Sequence, residues 1–264
     1  MNNDEPTRDD RSLLDRRRAL RVLGGAGLGV GLVAAGLDLA KVASAASGAD
    51  STIPTATEEI PDETGGPFPA DGTNGVNALA EDGIVRSDIT SSFGAATGVA
   101  GGIPLQVVLN VQDLTNGGDP LTGAAVYLWH CDAEGRYSLY SDGATDENYL
   151  RGVQEVDADG NVTFTSVFPG CYTGRWPHIH FEVYDSLDAA TNGRNAIKTS
   201  QLAFPQTVAE TVYADDRYPG SASYLGQLSL QSDMVFADDG AVLQLATMSG
   251  DVEAGYTALL AVGV

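Results

Sequence analysis

Residues 177–183 read P-H-I-H-F-E-V, and this run decides the fold reading and the chemical one together. In an extended strand residues i and i+2 share a face, so His178, His180 and Glu182 point one way and Ile179, Phe181 and Val183 the other. The apolar face is that of a strand packed on a core. The opposite face brings two imidazoles to one point, which is the beginning of a metal site. Working outward, the window Leu128–Val183 holds all three histidines of the chain, His130, His178 and His180, and both cysteines, Cys131 and Cys171. It starts L-W-H-C-D-A-E-G-R-Y-S and closes F-P-G-C-Y-T-G-R-W-P-H-I-H-F-E-V.

Tyr172 lies six residues before His178, just past Pro169-Gly170, and Tyr137 follows Gly135 at the end of another strand-like run. A phenol has an ordinary pKa of about 10, so a tyrosinate at neutral pH needs a strong Lewis acid beside it, and ferric iron is its natural partner. Arg175 adds a permanent cation three residues before the first histidine, suited to stabilising negative charge on an aromatic substrate or a departing tyrosine. Taken singly, an H-x-H pair also occurs in cupins and in zinc or copper sites, and a lone tyrosine is more often a core residue. It is the joint pattern that points to iron.

That pattern, G-R-Y-S, then R-G-V-Q-E-V-D-A-D-G-N-V-T-F-T-S-V-F-P-G-C-Y, then R-W-P-H-I-H, resembles the intradiol ring-cleavage dioxygenases, the family of protocatechuate and catechol dioxygenases, over roughly residues 60–205. The resemblance implies a mononuclear non-haem Fe(III) held by Tyr137, Tyr172, His178 and His180. It matches Arg175 to the family's active-site arginine and Gln201, in T-S-Q-L-A-F-P, to a glutamine lining the substrate pocket. The implied reaction cleaves a catechol-type ring between its two hydroxyl-bearing carbons, placing both atoms of O2 in a muconate-type diacid. Tyr172 is then both ligand and base, and no organic cofactor is needed. One departure stands out: only T-G-R-W-P separates Tyr172 from His178, where well-known members carry a longer, pocket-forming loop. Two other classes stay in view. One is a non-catalytic β-sandwich binding module of the same fold. The other is a different H-x-H metalloenzyme such as a cupin-like oxygenase, although no histidine follows His180 to complete a cupin set.

Both cysteines sit beside candidate site residues, and an exported protein with only two suggests a Cys131–Cys171 disulfide pinning the Tyr172 loop to the strand that leads to Tyr137. Buried free thiols are the alternative. His130 reads as a structural histidine or one supporting the site, in preference to a further ligand.

The net charge of -22 and pI of about 4.1 exclude a nucleic-acid partner, because a phosphate backbone would be repelled. Residues 1–45 read as a twin-arginine-type export signal: Asp15-Arg16-Arg17-Arg18-Ala19-Leu20-Arg21, a Gly/Ala/Leu/Val run over Val22–Ala40, and Ala43-Ser44-Ala45 as the cleavage site. The expected product is extracellular or in the cell envelope, with no stable membrane insertion after cleavage. Residues 46–63 read as a flexible linker and 64–264 as the catalytic domain. Oligomerisation is left open, with no long amphipathic N-terminal helix to mediate it.

Alternation is clean from Ile103, with Leu105, Val107, Leu109 and Val111 on one face. Further strands are expected at 83–89, 124–131, 162–168, 178–184, 197–204, 241–247 and 256–262. The D-A-D-G-N run at 157–161 reads as a hairpin turn, since it lacks the remaining ligands of a calcium loop. Residues 205–240 show no period. Short, regularly spaced strands with turn signals predict an all-β antiparallel sandwich with long loops, which is also what the resemblance implies.

Overall fold

A computed structural model describes residues 54–264. The expected signal and the first part of the expected linker lie outside the described residues. Nine strands form two packed sheets: β1 (Pro104–Asp113), β2 (Asp119–Pro120), β3 (Ala125–Trp129), β4 (Arg151–Glu155), β5 (Asn161–Val167), β6 (His178–Tyr184), β7 (Lys198–Ala203), β8 (Thr247–Asp251) and β9 (Gly255–Gly263). One sheet runs β2-β1-β9-β8 with β5 also paired to β1, and the other runs β4-β3-β6-β7. All pairs are antiparallel except β1 with β9, which is parallel. The all-β sandwich expected from the sequence is the fold observed.

Strand alternation distributes the two faces of the second sheet as the sequence requires. Val126 and Leu128 of β3 and Ile179, Phe181 and Val183 of β6 enter the core between the sheets, against Val107, Leu109, Phe164 and Leu260. Tyr127 and Trp129, in register with Glu182 and His180, face away from that core. There the 64–93 segment covers them, with Ala70, Ala78, Leu79 and Ile84 completing a second apolar cluster. The candidate site is therefore built on the outer face of one sheet, beneath an N-terminal arm.

Several sequence expectations change. Residues 54–63 are tied down where a flexible linker was expected: Ile60 is buried, its N–H donates to Gly263 O at 3.0 Å, Glu63 N–H donates to Thr199 O at 2.8 Å, and buried Lys198 pairs with Glu59 and Asp62. The strand expected at 241–247 begins only at Thr247, because Ala241 is forced to φ 59° after Gly240 and a turn closes with Gln244 N–H donating to Ala241 O. Residues 83–89 make isolated bridges at Val85 and Asp88, with no strand of their own. The 157–161 turn forms, with Asp157 Oδ1 accepting from Asp159 and Asn161 N–H, but it joins β4 to β5 in the other sheet and is a corner, not a hairpin. β4 was not anticipated. Residues 205–240 contain two short helices, α1 (Gln206–Val212) and α2 (Ser221–Leu225).

Candidate metal centre

Three chain segments deliver the four donors. β6 presents His178 and His180 on its outer face. The turn before Tyr137 is organised by Asp132, whose carboxylate accepts from Glu134 N–H, Arg136 N–H, Arg136 Nε and Tyr149 OH. Gly135, at φ 79°, allows Tyr172 to approach, since a Cβ there would stand 3.1 Å from Tyr172 Cβ. The T-G-R-W-P link, short by the standard of its resemblance, is a tight turn in which Tyr172 and Arg175 bridge each other.

The four side-chain ends converge. Tyr137 Oη lies 3.1 Å from Tyr172 Oη and 3.5 Å from His178 Nε2. Tyr172 Oη is 3.3 Å from His178 Nε2, and the two Nε2 atoms are 3.1 Å apart. Donors bound about 2.0 Å from one ion at tetrahedral angles are about 3.3 Å from each other, so this spacing suits a single ion. His178 donates from Nδ1 to Trp176 O at 2.5 Å, leaving its Nε2 lone pair turned toward the cluster, the usual device for orienting a metal-bound imidazole. His180 stacks on Trp129 (4.9 Å, 4°), and its buried Nδ1 has no hydrogen-bond partner.

Burial sets the protonation states. It lowers His178 to about 3, with Arg175 adding to the effect, and holds His180 well below the ordinary imidazole range, with His178 as the next cause. Both rings are neutral and able to ligate. Burial also pushes the Tyr137 and Tyr172 phenols up, so a tyrosinate here requires a cation at the cluster. Among the described residues no three His, Cys, Asp or Glu side chains converge to hold a metal. The donor set that does converge, two phenols and two imidazoles, fits a hard, oxidised transition-metal ion.

Arg175 completes the site. Its Nη1 is 3.3 Å from His178 Nε2, its Nη2 donates to Gln201 Oε1 at 2.6 Å, and its Nε donates to Asp233 Oδ2 at 3.0 Å. Gln201, in register with His180 on β7, is fully buried and donates to Thr64 O at 2.8 Å. It holds Arg175 and the arm together. Glu182 shares the histidine face but lies further along the strand, bonded by Tyr184 OH at 2.5 Å. Burial raises its carboxyl to about 8.

The disulfide expectation is corrected: Cys131 and Cys171 are free, buried thiols. Cys131 Sγ lies 3.4 Å from Gly170 O and Cys171 Sγ 3.6 Å from Arg175 O, each satisfied by a different backbone carbonyl, and burial raises both thiols. His130 is not part of the cluster. Its Nδ1 bonds Cys131 O at 2.8 Å and its Nε2 bonds Ser166 Oγ at 2.7 Å. Sequence reasoning missed Trp129, Gly66, Asp233 and Phe236. Trp129 was reachable from alternation on β3, and Gly66 packs against His180, where a Cβ would stand 3.3 Å from Cε1. Asp233 and Phe236 come from the aperiodic 205–240 stretch and had no local signal.

A family model described as Dioxygenase matches residues 95–196. The protocatechuate 3,4-dioxygenase beta chain of Burkholderia cepacia is 33% identical over 119 residues, 40% of this chain and 48% of that one. A chlorocatechol 1,2-dioxygenase of Rhodococcus opacus is 38% identical over 55 residues, 21% of each. The chain thus spans less than half the length of these curated relatives. Among solved structures, an intradiol ring-cleavage dioxygenase from Tetranychus urticae superposes with a TM-score of 0.59 at 25% identity, covering 78% of this chain and 94% of that one. Over these residues the chain is similar in sequence to dioxygenases, and its all-β sandwich is similar to that of an intradiol ring-cleavage dioxygenase.

Proposed function

We propose that the protein is an Fe(III)-dependent dioxygenase that opens catechol-type rings between the two hydroxyl-bearing carbons with O2. The observation that carries this reading is the convergence of Tyr137, Tyr172 and His178, their polar ends 3.1–3.5 Å apart, with His180 Nε2 3.1 Å from His178 Nε2 and Arg175 beside them. The names of its relatives support it. Ferric iron held by these four residues would supply Lewis acidity toward both catechol oxygens and the redox coupling that lets the ring meet O2.

The chain's own groups divide the remaining work. Tyr172 is partly exposed whereas Tyr137 is buried, so Tyr172 is the phenol an incoming catechol reaches first. Its Oη is placed to take up a proton that the catechol gives up on binding. Tyr137 and the histidines stay fixed. Arg175 faces the same space and stabilises negative charge that develops on the ring. Trp129 against His180 and Gly66 over its edge close the arm side to water.

Thr173 and Gly174, at the tip of the short turn, are exposed, and we infer an open approach that admits bulky catechols. Export by the twin-arginine-type signal belongs to the same reading and rests on the sequence of residues 1–45 alone. The test is O2 uptake with a catechol panel, with 18O2 labelling of the product. Muconate-type diacids carrying both labelled atoms are expected. Extradiol products, or no uptake by iron-loaded protein with any catechol, reject the function, and rejection of bulky catechols alone rejects the open approach.

A further inference from the structure

We propose that Asp233 is the positioning residue of Arg175, setting the plane in which the guanidinium meets substrate; this rests on the catechol-dioxygenase reading above. Asp233 is fully buried, and a carboxylate removed from water persists only where its oxygens are well bonded. Oδ2 accepts from Arg175 Nε at 3.0 Å and Trp176 N–H at 2.6 Å. Oδ1 accepts from Val235 N–H at 2.8 Å and Phe236 N–H at 3.1 Å. One side chain therefore staples the loop around residue 233 to the turn that carries both Tyr172 and Arg175.

The consequence for Arg175 is geometric. A guanidinium is planar, with its five donors in a fixed fork. Anchoring Nε on Asp233 and Nη2 on Gln201 defines that plane at two corners, and Nη1 is left facing the metal-ligand cluster, 3.3 Å from His178 Nε2. Phe236 backs the assembly, its ring centroid 5.8 Å from the guanidinium carbon and 6.5 Å from the His178 ring. Positioning matters on a chain this acidic: Glu63 lies close enough to Arg175 and to Asp238 and Asp239 to interact with all three electrostatically. Glu63, a partly exposed carboxylate, competes for a free guanidinium. A buried carboxylate on Nε keeps it aimed inward.

The test is Asp233→Asn, which retains an acceptor oxygen for the Val235 and Phe236 N–H groups and removes the charge, in wild-type and Arg175→Ala backgrounds. Losing one charge-assisted bond that acts through Arg175 lowers kcat roughly 10- to 100-fold. Iron content, resting absorption and anaerobic catechol affinity should stay within about 3-fold of wild type, as expected when only transition-state placement suffers. In Arg175→Ala the second substitution should cost less than about 2-fold. Wild-type kcat in Asp233→Asn, an equal loss in both backgrounds, or parallel loss of iron would overturn the assignment. If Asp233→Asn does not fold, wild-type protein loaded with diamagnetic gallium(III) decides: the Arg175 Nε–H resonance, identified by its absence in Arg175→Lys, should exchange slowly, and rapid exchange contradicts the anchor. Wild-type enzyme inert toward every catechol but with a protected Nε–H would sink the functional reading while leaving the geometry standing.

Discussion

Replacing Arg151 with Met should be among the most damaging single changes outside the donor set. Arg151 is 1% exposed and donates five hydrogen bonds. Nε reaches Ser138 Oγ at 3.0 Å, Nη1 reaches Pro69 O at 2.9 Å and Tyr127 Oη at 3.1 Å, and Nη2 reaches Phe68 O at 3.0 Å and Ser138 O at 2.9 Å. Apart from Tyr127 on β3, the acceptors belong to the arm and to the residue after Tyr137, so this one side chain joins the site's cover to one of its proposed ligands. Methionine fills much of the volume but leaves acceptors without donors. Pro69 O retains Tyr127 OH at 2.8 Å, whereas Phe68 O and Ser138 O have no other donor among the described residues. At about 1–3 kcal/mol per buried group left unsatisfied, and with the network lost as a unit, the cost is about 3–5 kcal/mol. For a domain of this size that lowers Tm by roughly 10 °C or more. Urea unfolding followed by tryptophan fluorescence, with m compared between the two proteins, measures it, and iron occupancy should fall in the same samples. A loss below about 1 kcal/mol would show that the arm is held by packing alone and refute the reasoning.

Three further outcomes are expected. Tyr172→Phe should still bind iron through Tyr137 and the histidines but lose about 100-fold or more in kcat, and a wild-type rate would remove Tyr172 from proton transfer. Gly66→Ala places a side chain at φ +70° and a Cβ 3.3 Å from His180 Cε1; it should cost about 1–2 kcal/mol in urea unfolding and weaken iron binding, and unchanged affinity would mean the arm does not hold His180. Burial lowers His130 from 6.5 to about 4, so the unfolded chain takes up a proton below pH 6.5 that the folded chain refuses. Stability is whole above that pH and falls as pH drops toward 4, by up to about 3 kcal/mol. His130→Asn should flatten this limb, and an unchanged slope would assign it to other groups.

The proposed histidine donors were legible from a local rule, since strand alternation alone sends His178 and His180 to one face, whereas Tyr137 and Tyr172, in the loops after β3 and β5, were read as donors from the resemblance. The two-sheet core was legible for the same reason, from Leu105 through Val111 and from Ile179 through Val183. What escaped notice depends on long-range partners. Asp233 meets Arg175 58 residues away in sequence, from a stretch whose turns carry no periodicity. The 54–63 segment has a linker's composition, yet Lys198, buried on β7, draws Glu59 and Asp62 onto the sheet edge. Gln201 was singled out as a pocket residue, but its hydrogen bonds make it the brace between Arg175 and Thr64. The cysteines mislead for a related reason: proximity to the site suggested a bond to each other, whereas each thiol faces its own backbone carbonyl.

The visible absorption spectrum of the purified protein, recorded with iron content before and after anaerobic addition of catechol, tests the central claim most directly. A tyrosinate-to-Fe(III) charge-transfer band at one iron per chain, moving to longer wavelength with catechol and weakened in Tyr137→Phe, is the predicted result. A protein that stays colourless after reconstitution with ferric iron, or whose spectrum does not respond to catechol, would contradict a Tyr137, Tyr172, His178 and His180 iron site that binds the substrate directly.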